Sequence, residues 1–382
     1  MPLWTVHLEG GPRRVNHAAV AIEDKIYSFG GYCTGEDYET IRPMDVHILD
    51  TVSYRWKAVP IPVPEDPQYK NIPYQRYGHT AVAYKDCAYI WGGRNDSQGA
   101  CNKLYCFDAS TLKWINIEVT GPLPAARDGH SACVIQEKIY IFGGYLEWLD
   151  RFSNGVHTYS FPTQQWELLL ATGSPARWRD FQSACGIDNL MFIFGGRSDR
   201  AGPFHTNHEI YCNKIQAFNI GDNHWHEPAT TGLAPVGRRS HSCFVYKKQL
   251  YIFGGYNGIH DVHFDDIYKY DPATNHWSVV KVKNRGPCPR RRQCCCVIDD
   301  RVFLFGGTSP CEEPMEGTDS DSDLMDHSDL HVLDFSPSLK TLCQLVVLEL
   351  KLDTKYLPRD IHWELTAMTT NNNISRAVNS NG

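Results

Sequence analysis

Guanidinium groups stand in this sequence at places that a repeat would bring together. Arg94 and Arg197 each follow a pair of glycines directly, and Tyr32, Tyr145, Tyr256 and Thr308 hold the same place after the other four pairs. Around a ring, that order alternates aromatic rims with two arginines. Arg177, Arg200, Arg239, Arg290 and Arg292, together with Trp178, fall in segments expected to open on the same side. Arginine presents a rigid fork of donors that matches a carboxylate or phosphate bidentately. Tyrosine and tryptophan beside arginine are the composition of protein-binding hot spots. The chemistry indicated is recognition of an anion, with no catalytic residues assigned.

Metal chemistry finds little support. His205, His208 and Cys212 come nearest to a ligand set, and no Cys-x-x-Cys pair exists; they read as ordinary surface and core residues, and no metal or other cofactor is assigned. The 14 cysteines are scattered, several in strand-like runs such as Ser131-Ala132-Cys133-Val134 and Cys294-Cys295-Cys296-Val297, and read as reduced core thiols. A net charge of −7 with 42% hydrophobic and 12% aromatic residues fits a globular protein and argues against a nucleic-acid partner held by bulk charge. No apolar run approaches the roughly 18 residues of a membrane span, and Met1-Pro2-Leu3-Trp4 does not open a signal peptide. The expected location is the cytoplasm and nucleus.

The elements that position the arginines are set by an internal repeat. Double glycines recur at Gly30-Gly31, Gly92-Gly93, Gly143-Gly144, Gly195-Gly196, Gly254-Gly255 and Gly306-Gly307, 51 to 62 residues apart, a period that signals radially repeated sheets. Each pair ends a run such as Lys138-Ile139-Tyr140-Ile141-Phe142, with the alternation and aromatic content of a packed strand. Trp56, Trp114, Trp166, Trp225 and Trp277 follow the first five pairs, and the sixth has none. Leu3-Trp4-Thr5-Val6-His7-Leu8 supplies the missing outer strand from the other chain end. A ring of sheets must close, and such a strand covers the seam. The expected fold is all-β, a six-bladed propeller over residues 1–335 closed by the N-terminal strand.

Arg-x-x-His opens most repeats, as Arg14 to His17, Arg76 to His79, Arg127 to His130 and Arg238 to His241, altered to Arg179 with Gln182 and Arg291 with Cys294. A group present in nearly every repeat serves the framework, because buried polar groups need partners. Function belongs where repeats differ. The stretch 311–329, acidic through residues such as Glu312, Glu316, Asp323, Asp326 and Asp329, is expected as a solvated, disordered loop leaving the basic mouth. A sharper reading has it screen the pocket or select ligands with a basic residue.

Beyond Phe335 the repeat stops. Leu339, Cys343 and Val347 recur every four positions and share one helical face. Leu357, Ile361 and Leu365 are spaced alike, with Pro358 at a helix start. Two short apolar-faced helices within 336–368 must cover something, either the propeller's own underside or a partner, although Val346-Val347 also allows a strand. Residues 369–382 read as a flexible tail ending in Gly382.

The glycine pairs, an aspartate such as Asp108 in Tyr105-Cys106-Phe107-Asp108, the tryptophans and Arg-x-x-His resemble the kelch repeat over residues 3 to about 335. An enzyme on that fold would resemble its copper oxidases, whose Tyr, His and Cys constellation has no counterpart placed here. Leu339, Cys343 and Val347 are similar to an elongin-binding box, and Leu357, Pro358, Ile361 and Leu365 look like a cullin-2 box. Together these parts resemble the kelch substrate receptors of cullin-2 ubiquitin ligases. That resemblance implies elongin B, elongin C and cullin-2 with its RING subunit as partners, and clients ending in glycine as ligands. It implies that the client's terminal carboxylate is clamped by Arg197 and Arg200, with Arg239 and Ser240 replacing a serine and a tryptophan of the relatives. Arg94, Arg292, Tyr32, Tyr145, Tyr256 and Trp178 complete the expected pocket. Because the chain itself ends in glycine, Gly382 is a candidate for occupying the mouth of a second copy. The alternative is a plain kelch scaffold for cytoskeletal or chromatin proteins, without the ligase partners.

Overall fold

Each strand that leads into a glycine pair is the second of four antiparallel strands, ending there in four blades and running on through the pair in Cys87–Asn95 and Leu190–Asp199. Six such sheets stand around one axis in this computed structural model, which describes residues 1–36, 40–311 and 324–374. In the first blade the order from the axis outward is Ala18–Ile22, Lys25–Phe29, Val46–Asp50 and Arg55–Ala58. The sixth blade has Cys294–Ile298, Arg301–Phe305 and Leu330–Asp334, and Leu3–Leu8 completes it from outside, with Leu3 opposite Asp334 and Leu8 opposite Leu330. The ring is thus closed by the N-terminal strand, as its tryptophan indicates.

One backbone hydrogen bond recurs at every seam. The second glycine of each pair donates its N–H to the carbonyl of the arginine opening the next blade: Gly31 to Arg76, Gly93 to Arg127, Gly144 to Arg179, Gly196 to Arg238, Gly255 to Arg290 and, across the chain ends, Gly307 to Arg14. All six lie at 2.8–2.9 Å. So close an approach excludes a side chain. A Cβ on Gly195 would stand 2.4 Å from the Arg238 carbonyl oxygen, and one on Gly196 2.7 Å from that of Asp180. Both glycines also hold a left-handed φ that other residues adopt at a cost.

Five of the six repeat arginines are buried and fold their guanidinium groups back onto the first glycine of their own blade, as in Arg76 to Gly92 at 3.3 Å, Arg179 to Gly195 at 2.7 Å and Arg290 to Gly306 at 3.1 Å, whereas the half-buried Arg14 pairs with Asp45 and Glu36. The residue three positions on reaches across to the preceding blade: His79 Nε2 meets the Phe29 carbonyl at 3.0 Å, Gln182 Nε2 donates to Phe142 at 2.9 Å and Gln293 Nε2 to Phe253 at 3.2 Å. The pair in the sixth blade is therefore Arg290 with Gln293, one residue before the Arg291 and Cys294 that the spacing suggested. Burial pushes the imidazoles of His17, His79 and His241 down to about 3, so they are neutral members of the framework.

The outer-strand tryptophans are wedges between blades. Each meets the aromatic residue just before the glycine pair of the preceding blade: Trp56 on Phe305 at 5.0 Å, Trp114 on Phe29 at 5.9 Å, Trp166 on Trp91 at 5.7 Å, Trp225 on Phe142 at 5.2 Å, Trp277 on Phe194 at 5.3 Å and Trp4 on Phe253 at 6.5 Å. Such aromatic pairs add about 1 kcal/mol each beyond the area they bury.

Two helices follow the ring, α1 (Leu339–Glu349) and α2 (Arg359–Thr369). The Ser338 hydroxyl caps α1 by accepting the Thr341 N–H at 3.1 Å, and Val346 and Val347 are helical. Both helices lie beside Asp300 and Arg301, at the end of the strands remote from the glycine pairs. Leu345 and Leu348 of α1 and Met368 of α2 pack on the core shared by the sixth and first blades. The chain after α2 remains tied down: the Asn372 N–H donates to Glu9 at 2.8 Å, its Oδ1 accepts the Trp56 N–H at 2.9 Å, and the Ile374 N–H donates to Gly10 at 2.9 Å. The segment up to Ile374, which reads as flexible tail, is part of the docked module, and residues 375–382 with Gly382 lie outside the described residues. No described helix is long and apolar enough to cross a membrane.

Deleting residues 1–8 removes the fourth strand of the sixth blade and one of the six wedges. The expected outcome is loss of the cooperative thermal transition by circular dichroism and elution of the chain as aggregates on gel filtration.

Candidate functional site

At the narrow end of the mouth a second set of backbone bonds closes on itself around the axis. Asn16 donates to Arg292, Arg292 to Ser240, Ser240 to Phe181, Phe181 to Gly129, Gly129 to Gly78 and Gly78 to Asn16, at 2.7–3.2 Å. Every member is left-handed, with φ from 51° at Phe181 to 68° at Gly78. For Asn16, Phe181, Ser240 and Arg292 this conformation costs about 1 kcal/mol each, and the closed ring holds them in it. An axial cavity of about 160 Å³ is lined by these residues and by the framework histidines and glutamines.

Above this neck, the residue after each repeat arginine pairs with the residue after each glycine pair: Val15 with Tyr32, Tyr77 with Arg94, Asp128 with Tyr145, Asp180 with Arg197, Arg239 with Tyr256 and Arg291 with Thr308. The structure therefore brings Tyr32, Arg94, Tyr145, Arg197, Tyr256, Arg239, Ser240 and Arg292 to one mouth. It adds Tyr77, Asp128, Asp180 and Phe181, which the sequence reading passed over, and Arg291, which that reading had assigned to the framework. The signal was available, since the residues just after the repeat arginines form a ring position as regular as those after the glycine pairs.

The mouth is electrically divided. Arg197 is spoken for: its Nε and Nη2 form a bidentate pair with the buried Asp180 at 3.1 and 2.6 Å, and Nη1 lies 3.6 Å from Glu209. Arg94 stands 3.2 Å from Glu147 and 3.7 Å from Asp96. Asp128 is buried with no partner for Oδ1, and burial, followed by the charge of Asp180, pushes its carboxyl up to about 7 against the pull of Arg94. In the second and fourth blades the arginine after the glycine pair is thus matched with carboxylates, and the third contributes acidic groups of its own.

In the fifth and sixth blades two arginines at the mouth lack such a match. Among the described residues, Arg239 and Arg292 meet no carboxylate. The Arg239 guanidinium lies 5.5 Å from the Tyr256 ring and that of Arg291 4.4 Å, while Arg292 donates to the Tyr32 hydroxyl at 2.5 Å. Their convergence is felt by His263, whose pKa is pushed down to about 4 by burial and then by the charges of Arg291, Arg292 and Arg239, with Asp261 opposing.

Among the other expected members of the basic face, one is withdrawn from it and two are exposed around it. Arg290 is a framework arginine, buried against the Asp329 carboxylate at 2.6 and 2.7 Å. Arg200 is exposed on the crown above the fourth blade, and Trp178 is partly exposed on the loop entering that blade. Nor is the stretch 311–329 a disordered loop throughout: Leu324–Asp326 pairs with Thr308–Pro310, Asp326 accepts the Thr34 N–H at 2.6 Å, and Asp329 neutralises Arg290. Residues 312–323 lie outside the described residues.

On the helices, Leu339 and Cys343 face outward, with Val347 and Ile361 half-buried. Pro358 is exposed beside a half-buried Leu357, whereas Leu365 is buried, so its side chain is not offered to a partner. Leu342, Val346 and Leu350 join the exposed stripe of α1 instead.

Residues 78–307 match a family model described as the KLHDC2/KLHL20/DRC7 Kelch-repeats domain, from the neck of the second blade to the glycine pair of the sixth. The chain belongs to the kelch-repeat family. As a kelch protein it is similar to Kelch domain-containing protein 3 of Bos taurus and of Homo sapiens, each 56% identical over 376 residues with 98% of both chains covered. Host cell factor 2 of Homo sapiens is 28% identical over 63% of this chain and 31% of its own length. Kelch propellers of this kind are protein-binding scaffolds, and no catalytic family is indicated.

Arg197→Ala strands the buried Asp180 charge and is expected to destabilise the fold by about 3 kcal/mol, with Asp180→Asn in the same chain restoring much of the loss in denaturant titrations. The native chain retains a proton on Asp128 that the unfolded chain has released, so this residue lowers stability as the pH rises from about 4 to 7. Asp128→Asn should therefore raise the Tm at pH 8, with a gain that shrinks toward pH 4.

Proposed function

We propose that this kelch protein is the substrate-recognition subunit of a cullin-2 RING ubiquitin ligase, holding the C-terminal carboxylate of clients that end in glycine. The carrying observation is that Arg239 and Arg292, on adjoining blades of the mouth, have no carboxylate of the described chain to neutralise them. Guanidinium groups left without a counter-ion in a concave site favour an anion that arrives with the ligand. A glycine terminus suits the place, because a residue without a side chain lets its carboxylate reach a narrow neck. Arg197, saturated by Asp180 and Glu209, acts as a fixed wall of the pocket in this arrangement.

The second half of the reading rests on the helices. They occupy the face remote from the mouth, so a client and a ligase do not compete for space. Leu339, Leu342, Cys343, Val346 and Leu350 leave an apolar stripe of α1 uncovered, and such a stripe is a docking surface for a helix-binding partner. Elongin B and elongin C are the occupants proposed for it, with cullin-2 and its RING subunit recruited beside Leu357, Pro358 and Ile361. Client proteins would then be directed to ubiquitination and degradation, with the receptor contributing no catalytic group.

A pull-down comparing a peptide ending in free glycine with its amidated and one-residue-extended forms tests the first half. Only the free glycine terminus should bind, and Arg239→Glu or Arg292→Glu should cost about 2 kcal/mol or more, roughly a 30-fold loss. Leu339→Glu should abolish co-purification with elongins B and C and leave the thermal transition in place. Failure of the wild-type chain to capture elongins would leave a plain kelch scaffold.

A further inference from the structure

The loops that follow the glycine pairs rise above the mouth as small hairpins. Arg94 and Asn95 pair with Ala100 and Gly99, Tyr145–Leu146 with Arg151–Phe152, Ser198 and Asp199 with Ile210 and Glu209, Tyr256–Asn257 with Val262–His263, and Thr308–Pro310 with Leu324–Asp326. Below them the mouth is charged. Above it the hairpins mix charged residues such as Asp150, Arg200 and Asp261 with exposed apolar ones: from the third blade to the sixth they expose Trp148, Leu149, Phe204, Ile259, Val262 and Met325. Trp148 is 92% exposed and Phe204 56%. Scattered exposed apolar residues need no explanation, but six on consecutive hairpins around one opening form a rim.

The Trp148 hairpin is rigid as well as exposed. Glu147, next in the chain, accepts the Ala100 N–H at 2.9 Å and pairs with Arg94, which ties the turn to the second blade. On its other side the Phe152 N–H donates to the Pro203 carbonyl at 2.6 Å, and Arg151 bridges Phe204, so the crowns of the third and fourth blades are stitched together. Phe152 beneath is fully buried, with the Arg197 guanidinium 5.6 Å from its ring. An aromatic side chain with only two rotatable bonds, carried on a backbone tied at both sides, loses little conformational freedom on binding and makes an effective anchor.

We infer that this apolar rim is a second recognition surface, for apolar or aromatic side chains of the client upstream of its terminus. The inference rests on the reading of the mouth given above, since a chain whose tip sits at the neck must pass between the crown hairpins to leave. Trp148 stands three positions beyond Tyr145, in the 3-10 turn Glu147–Leu149 that follows the strand Tyr145–Leu146, a rise of about 8 Å at roughly 3.3 Å per extended residue and 2 Å per turn residue. The residue it contacts is therefore about three to five positions before the client's last. The neck supplies terminus recognition common to all clients, and the rim discriminates among them.

Fluorescence anisotropy with the full chain tests this with three peptides that share one glycine-ending tail of four residues: the tail alone, the tail preceded by four serines, and the tail preceded by a segment containing phenylalanine and leucine. The apolar peptide should bind about 10-fold more tightly than the serine peptide, as expected for one well-packed aromatic anchor. Trp148→Ala with Phe204→Ser should remove that difference and leave the four-residue tail unchanged. Equal binding of the long peptides, or a difference untouched by the double substitution, overturns the rim proposal while the terminus reading stands. Failure of all three peptides to bind defeats the terminus reading instead. A shift in elution volume on gel filtration caused by the substitutions would assign the rim to a second copy of the chain and overturn it as well.

Discussion

A glycine amide given to the carbonyl of the next blade's arginine holds this molecule together. The bond is made at six seams with almost identical length, the last of them joining residues 307 and 14. It sets how closely neighbouring blades approach, and that approach in turn requires a residue without Cβ, buries the arginine side chain and brings the aromatic residue before the glycines under the next tryptophan. Each blade is a sheet that cannot bury both of its faces alone. The seam bond makes its neighbour the other half of its core.

Because the seams and the axial ring are built from backbone atoms, the side chains at the mouth are released from structural duty. Asn16, Gly78, Gly129, Phe181, Ser240 and Arg292 occupy equivalent places and share nothing but a left-handed backbone. The same holds one layer up, where Val15, Tyr77, Asp128, Asp180, Arg239 and Arg291 alternate in charge and size without disturbing the ring. Concentrating anion-seeking groups on the fifth and sixth blades, and matched ion pairs on the second to fourth, is therefore a choice of side chains alone. A polarised mouth on a symmetric frame follows.

Much of the fold was legible because its key contacts demand particular residue types at a fixed period. Only glycine fits the seam and only an indole fills the wedge, so both repeat visibly, down to the displaced Trp4. What could not be read is the pairing of charges, which leaves no period. Arg197 and Arg239 look alike in the sequence; Asp180 and Glu209 neutralise the first and leave the second open. Arg290, Arg291 and Arg292 offered three registers, and only the Gln293 bond to Phe253 shows which one belongs to the frame. Asp329 ends an acidic run that reads as solvated, yet a buried Arg290 needs it as counter-ion. On the helices, a four-residue period identified an apolar face without saying which of its members the chain itself would bury, and Leu365 proved to be one of those.

The platform under the two helices is assembled from distant parts of the chain. Asn372 is held by Glu9 at the beginning and by Tyr54 and Trp56 in the first blade, while α1 rests on the blade that is synthesised last. A growing polypeptide has no such seat, because the edges that form it meet only when Leu3–Leu8 has zipped onto Leu330–Asp334. Correct docking of α1 and α2 is in this sense a certificate of completion: a truncated or mis-threaded copy would carry the same helical sequence but lack the floor that presents it.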